Sequence, residues 1–305
     1  MAETTPTEVP APGVVAVEAR PYVPPWKSLW LRFRSNRSAR IGGVIVLVYV
    51  LIAVFVPLLD SYDARLDSNL PARFAPPSAD HPFGADNLGR DVMRRVGHGA
   101  SVSLTVSLMA VSISLIFGMT AGEIAGFFGG WIDSLLMRIM DVMLAFPSLL
   151  LAIVLVAIFG PGLRNAMIAI AIIGIPRYAR LARSMAISLR TEDFVMAAES
   201  VGGSQLYILR QHIVPNSLSP LIVQATLGLG VAVVETAALG FLGLGQQPPY
   251  PELGKMLAES QQYLVAGIWW GMVFPGVAIT LVVLGFNLLG DGLRDTLDPK
   301  LRGRD

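Results

Sequence analysis

Cysteine is absent from this chain of 305 residues, and charge is scarce, with Asp, Glu, Lys and Arg making up 15% of it. The first absence excludes a disulfide framework, a thiolate metal site, an iron–sulfur cluster and a thiol nucleophile. The second argues against two soluble domains of roughly 150 residues each, because soluble domains carry about 25% charged residues. The three histidines, His81, His98 and His212, are scattered without metal-ligand spacing, and HExxH does not occur, so no metal site is expected. Neither a GxSxG elbow nor a GxxxxGK(S/T) phosphate loop is found. The chain is therefore expected to be non-catalytic and to bind no ATP itself. A net charge of +1 removes any global case for nucleic-acid binding. What is present is 53% hydrophobic residues and a mean hydropathy of +0.60, too apolar for a disordered chain. This is the composition of an all-α membrane protein.

A membrane-spanning helix needs about 20 mostly apolar residues. Six segments qualify or come close: Ile41–Leu59, Ser101–Gly126, Ser134–Phe159, Asn165–Pro176 (extended by Tyr178–Leu181), Ser219–Leu242, and a stretch from Ile268 toward Gly290. The first lies too far from Met1 for a signal peptide and reads as an uncleaved anchor. Pro147, Pro176 and Pro275 are expected to break or end helices.

Lys and Arg concentrate on the cytoplasmic side of a membrane protein. Arg20, Lys27, Arg32, Arg34, Arg37 and Arg40 form a basic collar before the first span. They place the N-terminus in the cytoplasm, and six crossings return the C-terminus there, with Arg294, Lys300, Arg302 and Arg304. Arg177, Arg180, Arg183, Arg190 and Arg210 fall on the same side. Arg90, Arg94 and Arg95 conflict with the rule, since they precede the second span on the expected outer side, a conflict softened by Asp86 and Asp91 and by Asp60, Asp63, Asp67 and Asp80 upstream. The resulting organisation is a disordered, Pro-containing cytoplasmic tail (1–25), a collar with the first span (26–60) and an extracytoplasmic segment (61–100). A transmembrane core (101–290) contains a cytoplasmic loop at about 177–216, and a cytoplasmic C-terminal tail (291–305) follows.

Gly118, Gly122, Gly126 and Gly130 recur every four residues, a spacing that lets helix backbones approach closely. A partner helix and packing within the same bundle both fit. Arg138 and Asp141, three apart, can pair on one helix face or line a path. Glu123, Glu235 and Asn287 have two readings each, a proton or cation site or an interior group hydrogen-bonded to a neighbouring helix.

Phe194, Ala197, Ala198 and Val201 lie at i, i+3, i+4 and i+7, one apolar face of a short helix that Gly202 and Gly203 would end. A second short helical stretch leads to Ile213 and Pro215, where the fifth span starts. The element fits a groove on a partner protein or the membrane surface. Val201-Gly202-Gly203-Ser204-Gln205 looks like the signature loop of transport ATPases, without the nucleotide-binding fold around it.

The segment Phe194-Val195-Met196-Ala197-Ala198 through Gly202, ending in Ile213-Val214-Pro215, resembles the EAA loop of binding-protein-dependent ABC importer permeases. Met196 stands where a Glu commonly precedes the two alanines, and Glu199 is displaced by three residues. The segments His81–Asp91, Asp141–Pro147, Glu235–Pro248 and Phe286–Asp298 are similar to those of the dipeptide and oligopeptide C-type subunits of that family. The resemblance covers most of residues 30–302.

It implies a type I ABC importer permease in a prokaryotic plasma membrane. Such a subunit would pair with a homologous permease, two ATP-binding subunits that hold ATP and magnesium, and an extracytoplasmic substrate-binding protein. Residues 194–215 would couple to the ATPase. The expected function is import of di- or oligopeptides. Alternatives are the same fold carrying nickel complexes, haem or another small solute, and an ATP-independent transporter or channel.

Overall fold

The computed structural model describes residues 31, 33–60 and 62–297. The expected tail 1–25, the collar residues Arg20, Lys27 and Arg32, and Lys300, Arg302 and Arg304 lie outside the described residues. Helix α1 (Arg37–Leu59) starts at Asn36, whose side chain accepts from the Ala39 N–H at 3.1 Å. Helix α2 (Val92–Phe128) is capped by Asp91, which accepts from Arg94 N–H at 2.9 Å. At 37 residues it takes in 92–100, expected as part of the segment before the span.

Gly129 and Gly130, both with positive φ, turn the chain into α3 (Gly130–Leu144). The third span is not one helix, because α4 (Ser148–Phe159) leaves α3 at a 93° bend. Pro147 at the break lacks an N–H and keeps the preceding residue out of helical geometry. Helix α5 (Leu163–Arg190) continues through Pro176, contrary to the expectation that this proline ends a helix. Pro275 likewise lies inside α10 (Trp270–Leu297). Both prolines are buried against neighbouring helices, and tertiary packing outweighs the lost ladder bond.

After α5 come α6 (Asp193–Ser200), α7 (Gln205–Ile208), a π-helical turn (Leu209–Ile213) and α8 (Val214–Phe241). Helix α9 (Leu253–Ser260) and a 3-10 turn (Gln261–Ala266) lead to α10. Four of these helical runs have the length and apolarity to cross a bilayer: α1, α2, Gln205–Phe241 and α10. The bent α3–α4 pair makes a fifth. The expected fourth span is the first half of α5, whose second half is too rich in arginine to pass the same test.

Helix α5 nevertheless runs parallel to α2 along most of its length. Gly118 faces Ile175 and Tyr178, Gly122 faces Ala179 and Ala182, and Gly126 faces Arg183 and Ala186. A Cβ on Gly118 would sit 2.7 Å from the Ile175 carbonyl oxygen, and one on Gly126 would sit 2.6 Å from that of Arg183. The three glycines thus serve packing within this bundle. Gly130 does not belong to the stripe, since nothing lies within 4 Å of a Cβ placed there and its φ of +59° serves the turn.

The main core joins α2, α4, α5 and α8 through residues such as Val106, Ala110, Val156, Ala169 and Leu221. Helix α1 shows the inverse pattern of a soluble helix, with Val44, Leu47 and Phe55 about half exposed or more. That is the surface a lipid tail covers. The start of α1 and the end of α10 meet, Asn36 Nδ2 donating to Asp295 Oδ2 at 3.0 Å. Residues 291–297, expected as tail, form the last turns of α10. Arg294 and Leu297 lie beside Ser219 and Pro220 at the start of α8, so the start of α1 and the end of α10 share the end of the bundle that carries α6 and α7.

Candidate functional site

The α6–α7 element is held by its glycines and serine. Gly203 N–H donates to the Ala198 carbonyl and Gly202 N–H to that of Glu199, both at 3.0 Å, with Gly202 at φ +85°. These two bonds are a Schellman motif, the common way a helix stops on glycine. Ser204 then caps α7, its hydroxyl accepting from the Tyr207 N–H at 3.3 Å. The Val201–Gln205 string therefore has a local structural explanation and stands apart from any ATPase loop.

The phase of the helix differs from the expected one. Val195 is the anchor, fully buried with Phe127, Ala186, Ile208, Leu209 and Ile213, and Ala198 packs partly against this cluster. Phe194, Met196 and Ala197 are exposed, as is Glu199, and Val201 is 86% exposed. The apolar stripe thus splits, one part fixing α6 to the bundle and the other left uncovered. Pro215 is exposed in the first turn of α8 and Ile213 is buried. Because α7, the π turn and α8 follow without a break, a push on α7 is a push on α8.

A second set of groups lies on the surface formed by α5, the α3–α4 break and α8. Arg177, Arg180 and Arg183 recur at every third position of α5. Arg183 forms a fork with Asp133, with Nε–Oδ1 at 2.5 Å and Nη2–Oδ2 at 2.7 Å. Arg180 binds Asp141 at 2.7 Å. The expected Arg138–Asp141 pair does not form, and Arg138 is exposed on α3. An exposed i, i+3 pair is worth only a few tenths of a kcal/mol, so a partner on the neighbouring helix wins easily. Among the described residues Arg177 makes no such pair. It lines a cavity of about 80 Å³ together with Glu235, Ser148, Ser114 and Tyr178.

Of the other polar candidates, Glu123 is an interior group, with the Ser217 hydroxyl of α8 2.5 Å from Oε1. Asn287 is exposed on α10 beside Gly230. The three α5 arginines counted in the sequence only as topology markers. Their spacing was the available sign of a common face.

The opposite end of the bundle holds an ion-pair network that joins Arg90, Arg94 and Arg95 to acids the sequence set beside them and to Glu259, which it did not. Arg95, 2% exposed, binds Asp86 through Nη1 and Glu259 through Nη2, the latter at 3.1 Å. Arg90 joins the same two carboxylates at 2.7 and 3.3 Å. Arg94 reaches Asp60 at 2.6 Å and Asp67 at 3.0 Å. The three arginines that broke the orientation rule are thus neutralised in place. Burial works to raise the Asp86 carboxyl, but Arg95, Arg90 and two backbone N–H groups outweigh it and hold it below the ordinary carboxylate range. The Arg94 hydrogen bond does the same for Asp60.

Residues 60–91 are further fixed by Trp270 Nε1, which donates to the Ala85 carbonyl at 2.9 Å, and by Phe83 stacked on Phe274 at 4.0 Å. Beside this network Glu252 caps α9, accepting from Gly254 and Lys255 N–H at 2.9 and 2.8 Å. Its burial pushes the carboxyl up to about 7 despite those two bonds.

Residues 93–303 match the family described as binding-protein-dependent transport system inner membrane component. Residues 24–77 match the N-terminal transmembrane domain of oligopeptide transport permease C. The dipeptide transport system permease protein DppC of Alkalihalophilus pseudofirmus is 53% identical over 92% of this chain and 91% of its own. A glutathione transport system permease protein GsiD of Escherichia coli is 43% identical over 92% of both chains. Among solved structures, the inward-facing MetNI methionine ABC transporter superposes with a TM-score of 0.56 at 19% identity, covering 68% of this chain and 98% of that one. That likeness is one of fold. By the extent of these matches, the chain belongs to the inner membrane components of binding-protein-dependent transport systems, as a multi-pass ABC importer permease.

Proposed function

We propose that this chain is one half of the translocation path of an ATP-driven importer of di- and oligopeptides. A homologous permease supplies the other half, two ATP-binding subunits hold ATP and magnesium, and an extracytoplasmic binding protein delivers the solute. The relatives named for dipeptide and glutathione transport support a peptide cargo, glutathione being itself a peptide. The end bearing α6, α7, the start of α1 and the end of α10 faces the cytoplasm. The arginines of α5 and the collar favour that side, and the outer arginines no longer oppose it because each is paired with acid.

The observation that carries this reading is the split face of α6. Val195 fastens the helix to α2, α5, α7 and the π turn, while Phe194, Met196 and Val201 stay uncovered at the tip. A bundle spends burial on one side of a two-turn helix and leaves large apolar groups on the other when a partner covers them. Closure of the ATPases would move α6 and, through the unbroken 205–241 run, tilt α8. ATP shifts the permease between states only by contacts that differ between them, and this face supplies such contacts.

The test is uptake of radiolabelled dipeptide by the complete system in vesicles, with ATP hydrolysis followed in parallel. Phe194→Asp and Val201→Asp should insert normally yet lose peptide uptake. Normal uptake in both variants at matched expression, or uptake without nucleotide, would sink the reading. Mass analysis of the solute retained by the binding protein separates a peptide from a nickel complex or haem.

A further inference from the structure

The α5 arginines are not equivalent. Arg180 and Arg183 are locked onto Asp141 and Asp133 of α3, within hydrogen-bonding distance. Arg177 and Glu235 line one cavity and feel each other's charge, yet among the described residues no ion pair joins them. An ionisable group inside a membrane protein is costly, and it normally pairs with another group or faces a polar path. Here a guanidinium from α5 and a carboxylate from α8 are held apart across about 80 Å³, with the Ser148 hydroxyl beside the carboxylate. The side on which they stand is uncovered by the described residues. Ser148 and Arg177 are exposed, as are Val231 and Val234 one turn and less from Glu235. The cavity also sits at the α3–α4 break, where the N-terminal N–H groups of α4 have no side-chain cap.

Separated opposite charges that do not close on each other match a ligand carrying both signs. From this arrangement we infer that Glu235, flanked by Ser148 and Arg177, forms a subsite on the translocation path that takes the α-ammonium group of a passing peptide. The inference rests on the peptide-importer reading and adds to it a place within this half of the path. The space suits an ammonium group and its first carbon, since a liquid water occupies about 30 Å³. The remainder of the peptide lies outward, toward the uncovered side, with Arg177 positioned for an acidic group. Glu235 is on α8, the helix continuous with the coupling element, so a tilt of α8 would carry the carboxylate away from Ser148 and Arg177. Release and coupling then share one moving part.

The native lack of cysteine makes the test direct. In the assembled complex, without binding protein, Ser148→Cys places a thiol beside Glu235. It is titrated with two thiosulfonate reagents of equal size, one carrying an ammonium and one a sulfonate. The ammonium reagent should react about tenfold faster, as a cleft of one sign concentrates its counter-ion. Glu235→Gln should abolish the preference. Excess alanyl-alanine should slow the labelling, and N-acetyl-alanyl-alanine should not.

Equal rates for the two reagents, a preference that survives Glu235→Gln, a thiol that neither reagent reaches, or protection by both peptides alike would each overturn the subsite. If Ser148→Cys does not assemble, Val231→Cys lines the same cavity and carries the same measurement. Uptake by the complete system separates the two levels. A complex that moves peptide but shows no protected thiol overturns the subsite alone, and one that moves no peptide overturns the peptide reading with it.

Discussion

Arg95 of α2 and Glu259 at the end of α9 are joined at 3.1 Å although 164 residues separate them in the chain. The same guanidinium holds Asp86, and its side chain is 2% exposed. The network therefore ties Asp60, Asp67 and Asp86, the start of α2 and the end of α9 into one body. Replacing Arg95 by Met would remove one of the two buried guanidinium groups that Asp86 and Glu259 share, leaving Arg90 to hold both carboxylates. Removing one member of a buried ion pair costs about 3–5 kcal/mol. Arg95→Met should thus lower the thermal unfolding temperature of the purified complex sharply, while Asp63→Asn, nearby and exposed, should leave it unchanged.

Glu252 offers a pH test at the same end. Its carboxyl is raised to about 7 by burial, against an ordinary value of 4.5. Between those values the folded protein holds a proton that the unfolded chain has released. Stability from this group is therefore full below about pH 4.5, falls as pH rises through about 7, and is flat beyond. Asp86 works in the opposite sense, since its depressed value adds stability above the usual carboxylate range that is lost as pH falls through its folded value. Glu252→Gln should flatten the decline between about pH 4.5 and 7 in thermal-shift measurements and leave the acid limb intact.

The sequence exposed the long apolar runs well, because α1, α2, α8 and α10 are single helices whose composition alone marks them as spans. Prolines were less informative. Pro147 breaks a helix and Pro176 does not, and the difference is the packing around each, which a lone sequence does not carry. Charge pairing failed for the same reason. The Arg138–Asp141 spacing is local and visible, whereas Asp141–Arg180 and Arg95–Glu259 exist only once helices are brought together. For α6 the stripe was legible and its orientation was not. Periodicity says which residues share a face, but the neighbouring Phe127, Ala186 and Ile213 decide that Val195 is the one that packs.

The glycines of α2 give a prediction with an internal control. A Cβ on Gly126 would press on the Arg183 backbone at 2.6 Å, and backbone cannot yield as a flexible side chain does. Overpacking of this kind costs about 1–3 kcal/mol. Gly130 has open space around it, so Gly130→Ala meets only the left-handed backbone penalty of about 1–2 kcal/mol. Gly126→Leu should therefore disturb the α2–α5 contact, seen as faster proteolysis between α5 and α6. Gly130→Ala should lower stability without that change in cleavage pattern.

The split of α6 predicts that two neighbouring valines have opposite phenotypes. Val195 is fully buried against α2, α5, α7 and the π turn, and truncating it to Ala removes packed methyl groups, at a cost of roughly 1–3 kcal/mol. Val201 is 86% exposed, and its truncation should change stability by no more than about 0.5 kcal/mol. Hydrogen exchange in the α6 amides should accordingly rise in Val195→Ala and stay at the native level in Val201→Ala. Coupling should invert the order per folded complex, with Val201→Asp losing ATP-driven uptake and Val195→Ala keeping most of it. Ala198 and Gly202 are poorer probes of the same idea. Ala198 packs inward and Gly202 holds φ at +85°, so a charge at either would damage the helix before it tested the contact. If Val201→Asp and Val195→Ala lost uptake to the same degree, the exposed half of α6 would have no role beyond that of its buried half.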